Sequence, residues 1–339
     1  MIEIDGSMGE GGGQIVRTSL ALAALTGRAV QLKNIRAGRP RSGLLRQHLA
    51  AVEAAAAVCG AETAGAALGS DALTFVPGAV RGGEFRFAVG SAGSTMLVLQ
   101  TVLLPLLLRT DVSSEIVLEG GTHNPFAPPF DFIDQVYLPL LRRMGARVEA
   151  VLQRYGFYPA GGGLVRVRIE PVARLDALEL MSRGACLECR AMALSSAVRP
   201  SVGGDEARLV ARLLEWPGEA AVSRQVDSPG PGNVAYAWIR SERADELFTA
   251  FGERGIGWEA VAQRVAQQAR RYLDKDAPVG PHLADQLLLP LALAGHGCFR
   301  TLTPTEHLRT NVEVIKQFLP VTVRTAEVAG DVYEVEVMA

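Results

Sequence analysis

A histidine between two oppositely charged neighbours is the residue most suggestive of chemistry. Pro304-Thr305-Glu306-His307-Leu308-Arg309-Thr310-Asn311 reads as a polar loop ahead of a helix, with Thr310 or Asn311 able to cap it. A neutral imidazole there could attack phosphorus and form a labile P–N bond. Taken alone, a single His is more often structural or superficial, so the segment needs company. Glu10-Gly11-Gly12-Gly13-Gln14 is the first candidate. Glycines at a helix start leave backbone N–H groups free and let a phosphate approach closely. Glu10 could hold a divalent metal bridging phosphates, because Mg²⁺ usually takes only one or two carboxylates. Arg17, one turn further on, could pair with a phosphate. The same stretch is also consistent with a plain strand–turn–helix junction. The pattern GxxxxGK[ST] is absent, so any nucleotide site here is not a P-loop.

Three further segments join this group. Arg36 to His48 (RAGRPRSGLLRQH) carries Arg36, Arg39, Arg41, Arg46 and His48 without an acidic residue. Arginine forks match phosphate oxygens in pairs, so this is the best polyanion contact in the chain, or else a solvated loop. His282-Leu283-Ala284-Asp285-Gln286 opens an apolar helix; His282 could stack on a base, and Asp285 could accept from sugar hydroxyls, bind metal, or simply favour a helix's first turn. Gly120–Pro129, with His123, Phe126 and Pro128, is a rigid proline-rich loop able to face a planar ring, or only a helix entry. Cys186-x-x-Cys189 lacks the second ligand pair of a zinc site and sits in a strand-like run.

The elements that must position these residues follow a faint repeat. A Gly- or Pro-rich loop opens a strongly apolar helix, which gives way to a strand. Copies begin at Gly9, Gly90, Gly120 and Gly280, and Asn311–Leu319 reads as one more helix before a strand at 321–325. Alternating segments at 164–169 and 332–337 read as further strands. Interleaved helix and strand periods predict an α/β (α+β) class of repeated sheet-and-helix units. Residues 178–276 differ: they are more polar, hold all three Trp and include the turn cluster SPGPGN. The composition predicts a smaller inserted domain at 178–276, with a large repeated domain from 1–177 and 277–339.

At 339 residues, the chain exceeds what one compact core usually holds. Hydrophobic residues at 48% against 21% charged exclude a disordered chain. A net charge of −2 argues against a protein that coats long nucleic acid, which would normally be basic, and leaves room for one that grips only an end. Met1–Asp5 is acidic with no basic leader region, and the four cysteines are sparse, so a cytoplasmic protein with reduced thiols is expected. The apolar run Met96–Leu108 is too short to span a membrane and predicts a buried helix.

Taken together, the segments DGSMGEGGGQIVRTSLAL, IRAGRPRSGLLRQHL, FRFAVGSAGSTMLVLQT, GGTHNPFAPPFDF, GFYPAGGG, HLADQLLLPLALAG and PTEHLRTN resemble the RNA 3′-terminal phosphate cyclase family. They occur in order over nearly the whole chain, and the resemblance weakens only in the insert. It implies units of a four-stranded sheet with two helices, and a smaller α/β domain inserted between the second and third parts. It implies ATP, a divalent metal (Mg or Mn) and RNA 3′-phosphate ends as partners. His307 would attack the α-phosphorus of ATP, the AMP would pass to the RNA 3′-phosphate, and the 2′-hydroxyl would close the 2′,3′-cyclic phosphate. By the match, Glu10 would bind metal, with Gln14 and Arg17 near the phosphates. Gln100, His282, Leu283, Ala284, Asp285 and Gln286 would line the ATP site, and Pro128 would face the adenine. The family often has Tyr at the place of His282, whose imidazole offers less stacking area. Three other readings stay open: a cyclase-like ribosome-assembly protein without the nucleophile, an enolpyruvyl-type transferase of similar units, and a non-catalytic RNA-end-binding module.

Overall fold

The computed structural model describes residues 1–339. The chain begins with β1 (Ile2–Asp5), α1 (Gly13–Thr26), β2 (Val30–Lys33), α2 (Arg46–Cys59), β3 (Glu62–Ala64) and β4 (Leu73–Val76). Their sheet has the order β1-β2-β4-β3, with β1 and β2 parallel and β4 antiparallel to both neighbours. The same pattern returns in β5 (Glu84–Ala88), α3 (Thr95–Leu108), β6 (Ser114–Gly120), α4 (Phe130–Phe132), α5 (Leu138–Arg143), β7 (Arg147–Arg154) and β8 (Gly163–Glu170). A π turn, Ile133–Tyr137, joins α4 to α5. That sheet runs β5-β6-β8-β7, again with the first pair parallel and the rest antiparallel.

A third copy opens with β9 (Leu178–Leu180) and is then interrupted. β10 (Cys186–Ser196), α6 (Ser201–Leu213), β11 (Ala221–Gln225), β12 (Gly232–Ser241), β13 (Glu246–Phe251) and α7 (Trp258–Leu273) follow. They form a sheet of different order, β11-β10-β12-β13. The third copy resumes with α8 (Pro281–Ala294), β14 (His296–Leu302), α9 (Glu306–Phe318), β15 (Thr322–Ala329) and β16 (Val332–Met338). Its sheet is β15-β16-β14-β9, with β9 parallel to β14. Leu178–Leu180, which composition assigns to the insert, is therefore the outer strand of the third sheet. The interruption falls inside the third unit, between its first strand and first helix. Three residues of strand are too few for composition to register the pairing.

The helices form because their apolar residues have somewhere to go. Twelve of the 14 residues of α3 are buried, so it needs cover on every side rather than one amphipathic stripe. It packs on α1 and α2, α1 also meets α9, and α8 lies on α9. The sheets lie outside this helical centre. One apolar core of 73 residues runs through the repeated units, while a second of 19 lies chiefly beneath α6 and α7 in the insert. The insert's sheet is thus covered on both faces, with Leu194, Val234 and Tyr236 joining the larger core. α6 and α7 carry a true polar face. No helix is long and apolar enough to cross a membrane.

One local expectation is corrected. His307 does not precede a helix but sits in the first turn of α9. The cap is Thr305, whose Oγ1 accepts from Leu308 N at 3.1 Å, rather than Thr310 or Asn311. Thr310 and Asn311 are instead buried inside the helix and engaged elsewhere.

Candidate active site

The equivalent first helices of the three units, α1, α3 and α8, approach one another and enclose a cavity of about 440 Å³. α1 contributes Gln14, Arg17 and Thr18; α3 contributes Gln100; α8 contributes His282, Asp285 and Gln286; α9 adds His307 and Asn311. Pro128 forms part of the wall before α4, and Leu247, Thr249, Phe251 and Gln268 come from the insert.

A hydrogen-bonded chain crosses this cavity. Gln14 Nε2 donates to Asp285 Oδ2 at 2.9 Å, and Gln14 Oε1 lies 2.9 Å from His307 Nδ1. With Asp285 ionised its oxygen only accepts, so the amide turns its NH₂ toward Asp285 and its carbonyl toward the imidazole. His307 Nδ1 then carries the proton, and Nε2 keeps a free lone pair. Burial, together with Arg17 and Arg39, holds the His307 pKa below the usual imidazole value, so the ring is neutral near pH 7. Burial lowers His282 too, helped by His307. Burial pushes Asp285 up to about 7, while Gln14 and Arg17 oppose that shift. Arg17 is brought down to about 10 by burial and stays cationic. Asn311 Nδ2 donates to the Asp285 carbonyl at 2.9 Å, and its Oδ1 accepts from Thr18 Oγ1 at 2.8 Å. α1, α8 and α9 are thereby locked together through polar side chains.

The glycine loop makes room for its neighbours. Gly9 has φ +52 and faces Thr310, whose Oγ1 accepts from Glu10 N at 2.9 Å. A Cβ on Gly13 would overlap His48, and one on Gly12 would overlap the Glu10 carboxylate. Glu10 pairs with Arg39, whose guanidinium also donates to the Glu10 carbonyl at 2.8 Å. Glu10 Oε2 is buried without a hydrogen-bond partner, 3.6 Å from His307 Nδ1. No three His, Cys, Asp or Glu side chains are grouped as a metal cage, and Cys186 and Cys189 lie together on β10 as free thiols.

Not every expected residue reaches the cavity. Leu283 and Ala284 are buried in the core and leave the lining to their neighbours. Of the four arginines, Arg39 comes to the site through Glu10. Arg36 turns back on its own loop, donating to the Arg41 and Gly43 carbonyls. Arg41 and Arg46 are exposed and away from the lining. His48 was legible only as part of the arginine loop, yet it lies against Gly13. Its Nδ1 accepts from Leu45 N at 3.0 Å, and burial with Arg17 and Arg36 drops its pKa to about 3. It is therefore a neutral ring with its proton on Nε2. Gln100 Nε2 donates to Gln286 Oε1 at 2.6 Å, and Gln286 in turn donates to the His282 carbonyl at 2.9 Å. Thr249, Phe251 and Gln268 carry no sequence signal, because only the docking of the insert brings them here.

Three equivalent helices around a cleft with a neutral histidine, a buried arginine and an unpartnered carboxylate oxygen define a class. It is a repeated-unit α+β protein whose cleft sets a neutral imidazole beside a buried guanidinium. The chain belongs to the RNA 3′-terminal phosphate cyclase family, whose model matches residues 8–325. It is 50% identical over 337 residues to the RNA 3′-terminal phosphate cyclase of Pseudomonas fluorescens, covering 99% of this chain and 97% of that one. It is 52% identical over 322 residues to the protein of that name from Salmonella typhimurium, covering 95% and 94%. The Koribacter versatilis protein of the same name is 48% identical over 328 residues, covering 96% and 92%.

Proposed function

We propose that this protein is an RNA 3′-terminal phosphate cyclase that works through a covalent His307–AMP adduct, using ATP. The carrying observation is the Asp285–Gln14–His307 chain, which presents a neutral imidazole with Nε2 free. In the first step, Nε2 attacks the α-phosphorus of ATP; an N–P bond forms and pyrophosphate leaves. In the second, an oxygen of the RNA 3′-phosphate attacks the same phosphorus. The N–P bond breaks, RNA-(3′)pp(5′)A forms and His307 returns neutral. In the third, the adjacent 2′-hydroxyl attacks the RNA phosphate, loses its proton and expels AMP. Activation is the reason for the detour: a phosphate dianion resists attack until one oxygen becomes a leaving group.

Each step moves negative charge, and the cavity answers it. Arg17 and Arg39 lie near enough to depress His307 and so near enough to stabilise a phosphoryl group beside it. Pro128, His282, Gln100 and Gln286 would take the adenosine. A divalent metal fits Glu10 Oε2, a buried carboxylate oxygen with no hydrogen bond, provided substrate phosphates and water fill the other positions. Bound there, Mg²⁺ or Mn²⁺ would supply charge neutralisation on the phosphates. A cytoplasmic RNA-processing role fits this chemistry.

The test is direct. The protein is incubated with α-phosphate-labelled ATP and Mg²⁺ or Mn²⁺, denatured and assayed for label on the chain, beside His307→Ala. An acid-labile adduct absent from the variant is expected. No adduct with any metal would leave a non-catalytic RNA-end binder as the better reading.

A further inference from the structure

The loop between β6 and α4 carries one side chain that nothing in the fold explains. Phe126 is fully exposed, yet its backbone lies in the left-handed region at φ +64. A bulky residue there costs on the order of 1 kcal/mol or more and persists only where its surroundings enforce it. The surroundings do so. On either side of the tip, Thr122 N donates to the Gly156 carbonyl at 2.9 Å, and Phe130 N donates to the Thr122 carbonyl at 3.0 Å. Beneath it, His123 Nε2 and Asp131 Oδ2 lie 2.7 Å apart, and Tyr236 of the insert donates to the same oxygen at 3.1 Å. The loop is thus pinned to its own unit and to the insert, and its tip holds a phenyl ring in solvent on the rim of the cavity that contains His307.

A single exposed phenylalanine is ordinary, but one held out on a strained and anchored backbone beside a reaction site is not. We propose that Phe126 is a stacking platform for a nucleobase at the 3′ end of the RNA, engaged while the terminal phosphate lies at His307. Any base has a π face, so such a platform adds affinity without demanding a sequence. Net charge −2 leaves little non-specific pull on the backbone, which makes a base contact worth having. The rigid loop also means that little ordering is lost on binding. The inference rests on the reading of the site as one for RNA ends.

The test is a cycle of variant and substrate, read by direct binding in the absence of ATP. Short RNA 3′-phosphates are used intact, or abasic at the terminal or the preceding nucleotide. Wild type is expected to lose roughly 5- to 100-fold in affinity for one of the abasic RNAs. Phe126→Ala should bind intact RNA that much more weakly and show no further loss with the abasic one, and Phe126→Trp should restore the difference. Equal losses in wild type and Phe126→Ala, or no loss in wild type, would overturn the platform. If the variant instead weakened ATP and left RNA affinity alone, the ring would serve the nucleotide, and this proposal would be wrong. An adduct lost to His307→Ala but an RNA affinity indifferent to Phe126 would sink the platform and spare the cyclase reading. Absence of any adduct would do the reverse.

Discussion

In the proposed chemistry Gln14 is the pivotal residue, although it is neither acid nor base. Its amide links Asp285 to His307 and so decides which imidazole nitrogen is free. Gln14→Ala should slow adenylylation by about 10²-fold in single turnover, the scale expected when a nucleophile loses its orientation, with a smaller change in KM for ATP. Asp285 carries a cost of its own. Its pKa rises from 3.8 unfolded to about 7 folded, so across that window the folded chain holds a proton that the unfolded chain has released. Stability contributed by this group is therefore present at low pH and falls as pH rises toward 7. Asp285→Asn should flatten that slope, unfolding at a higher temperature than wild type at pH 8 but not at pH 4, while adenylylation declines. A thermal melt series over pH reads the first effect, and a wild-type slope in the variant would refute it.

At the scale of the element, α9 positions the histidine by its first turn. Thr305 caps the helix and fixes His307 two residues on, where it can reach Gln14. Thr305→Ala should cost about 1 kcal/mol of stability and Thr305→Ser much less. Denaturant unfolding would show it, and the Ala variant should also transfer AMP more slowly than Ser. The π turn Ile133–Tyr137 plays a related part in the second unit. Its last residue, Tyr137, and Phe132 just before it both line the cavity wall, and π turns recur at functional sites.

On the scale of the molecule, the insert is a wall of the site as well as an attachment. Glu246, at the start of β13, is buried, and Oε2 accepts from Gly280 N at 2.6 Å, at the mouth of α8. Burial raises its pKa to about 8. The next residue, Leu247, lines the cavity, so one carboxyl ties the insert to the helix that bears His282, Asp285 and Gln286. Glu246→Ala should leave the Gly280 N–H unpaired at a cost of about 1–3 kcal/mol and raise KM for ATP. Glu246→Gln keeps the acceptor and should stay close to wild type. An Ala variant with unaltered KM would separate the insert from nucleotide binding.

The order of apolar helices and strands was readable from periodicity, and the ordered segments from Asp5 to Asn311 were enough to identify the family. Residue type alone offered His307, Glu10 and Arg17 only as candidates, because phosphate chemistry draws on a small set of side chains, and the resemblance to the family was needed to join them. Pairing across a sheet is non-local, so the place of Leu178–Leu180 was hidden, as was the entry of the insert inside the third unit. Direction of side chains was equally hidden. Arg36 and Arg39 look alike in a run of arginines, but one bonds its own loop and the other reaches Glu10. Leu283 and Ala284 sit beside Asp285 in sequence, yet a helix turns about 100° per residue and sends them to the core. Gln14 lies 271 residues from Asp285 and 293 from His307 along the chain; only the packing of α1, α8 and α9 puts it within hydrogen-bonding distance of both.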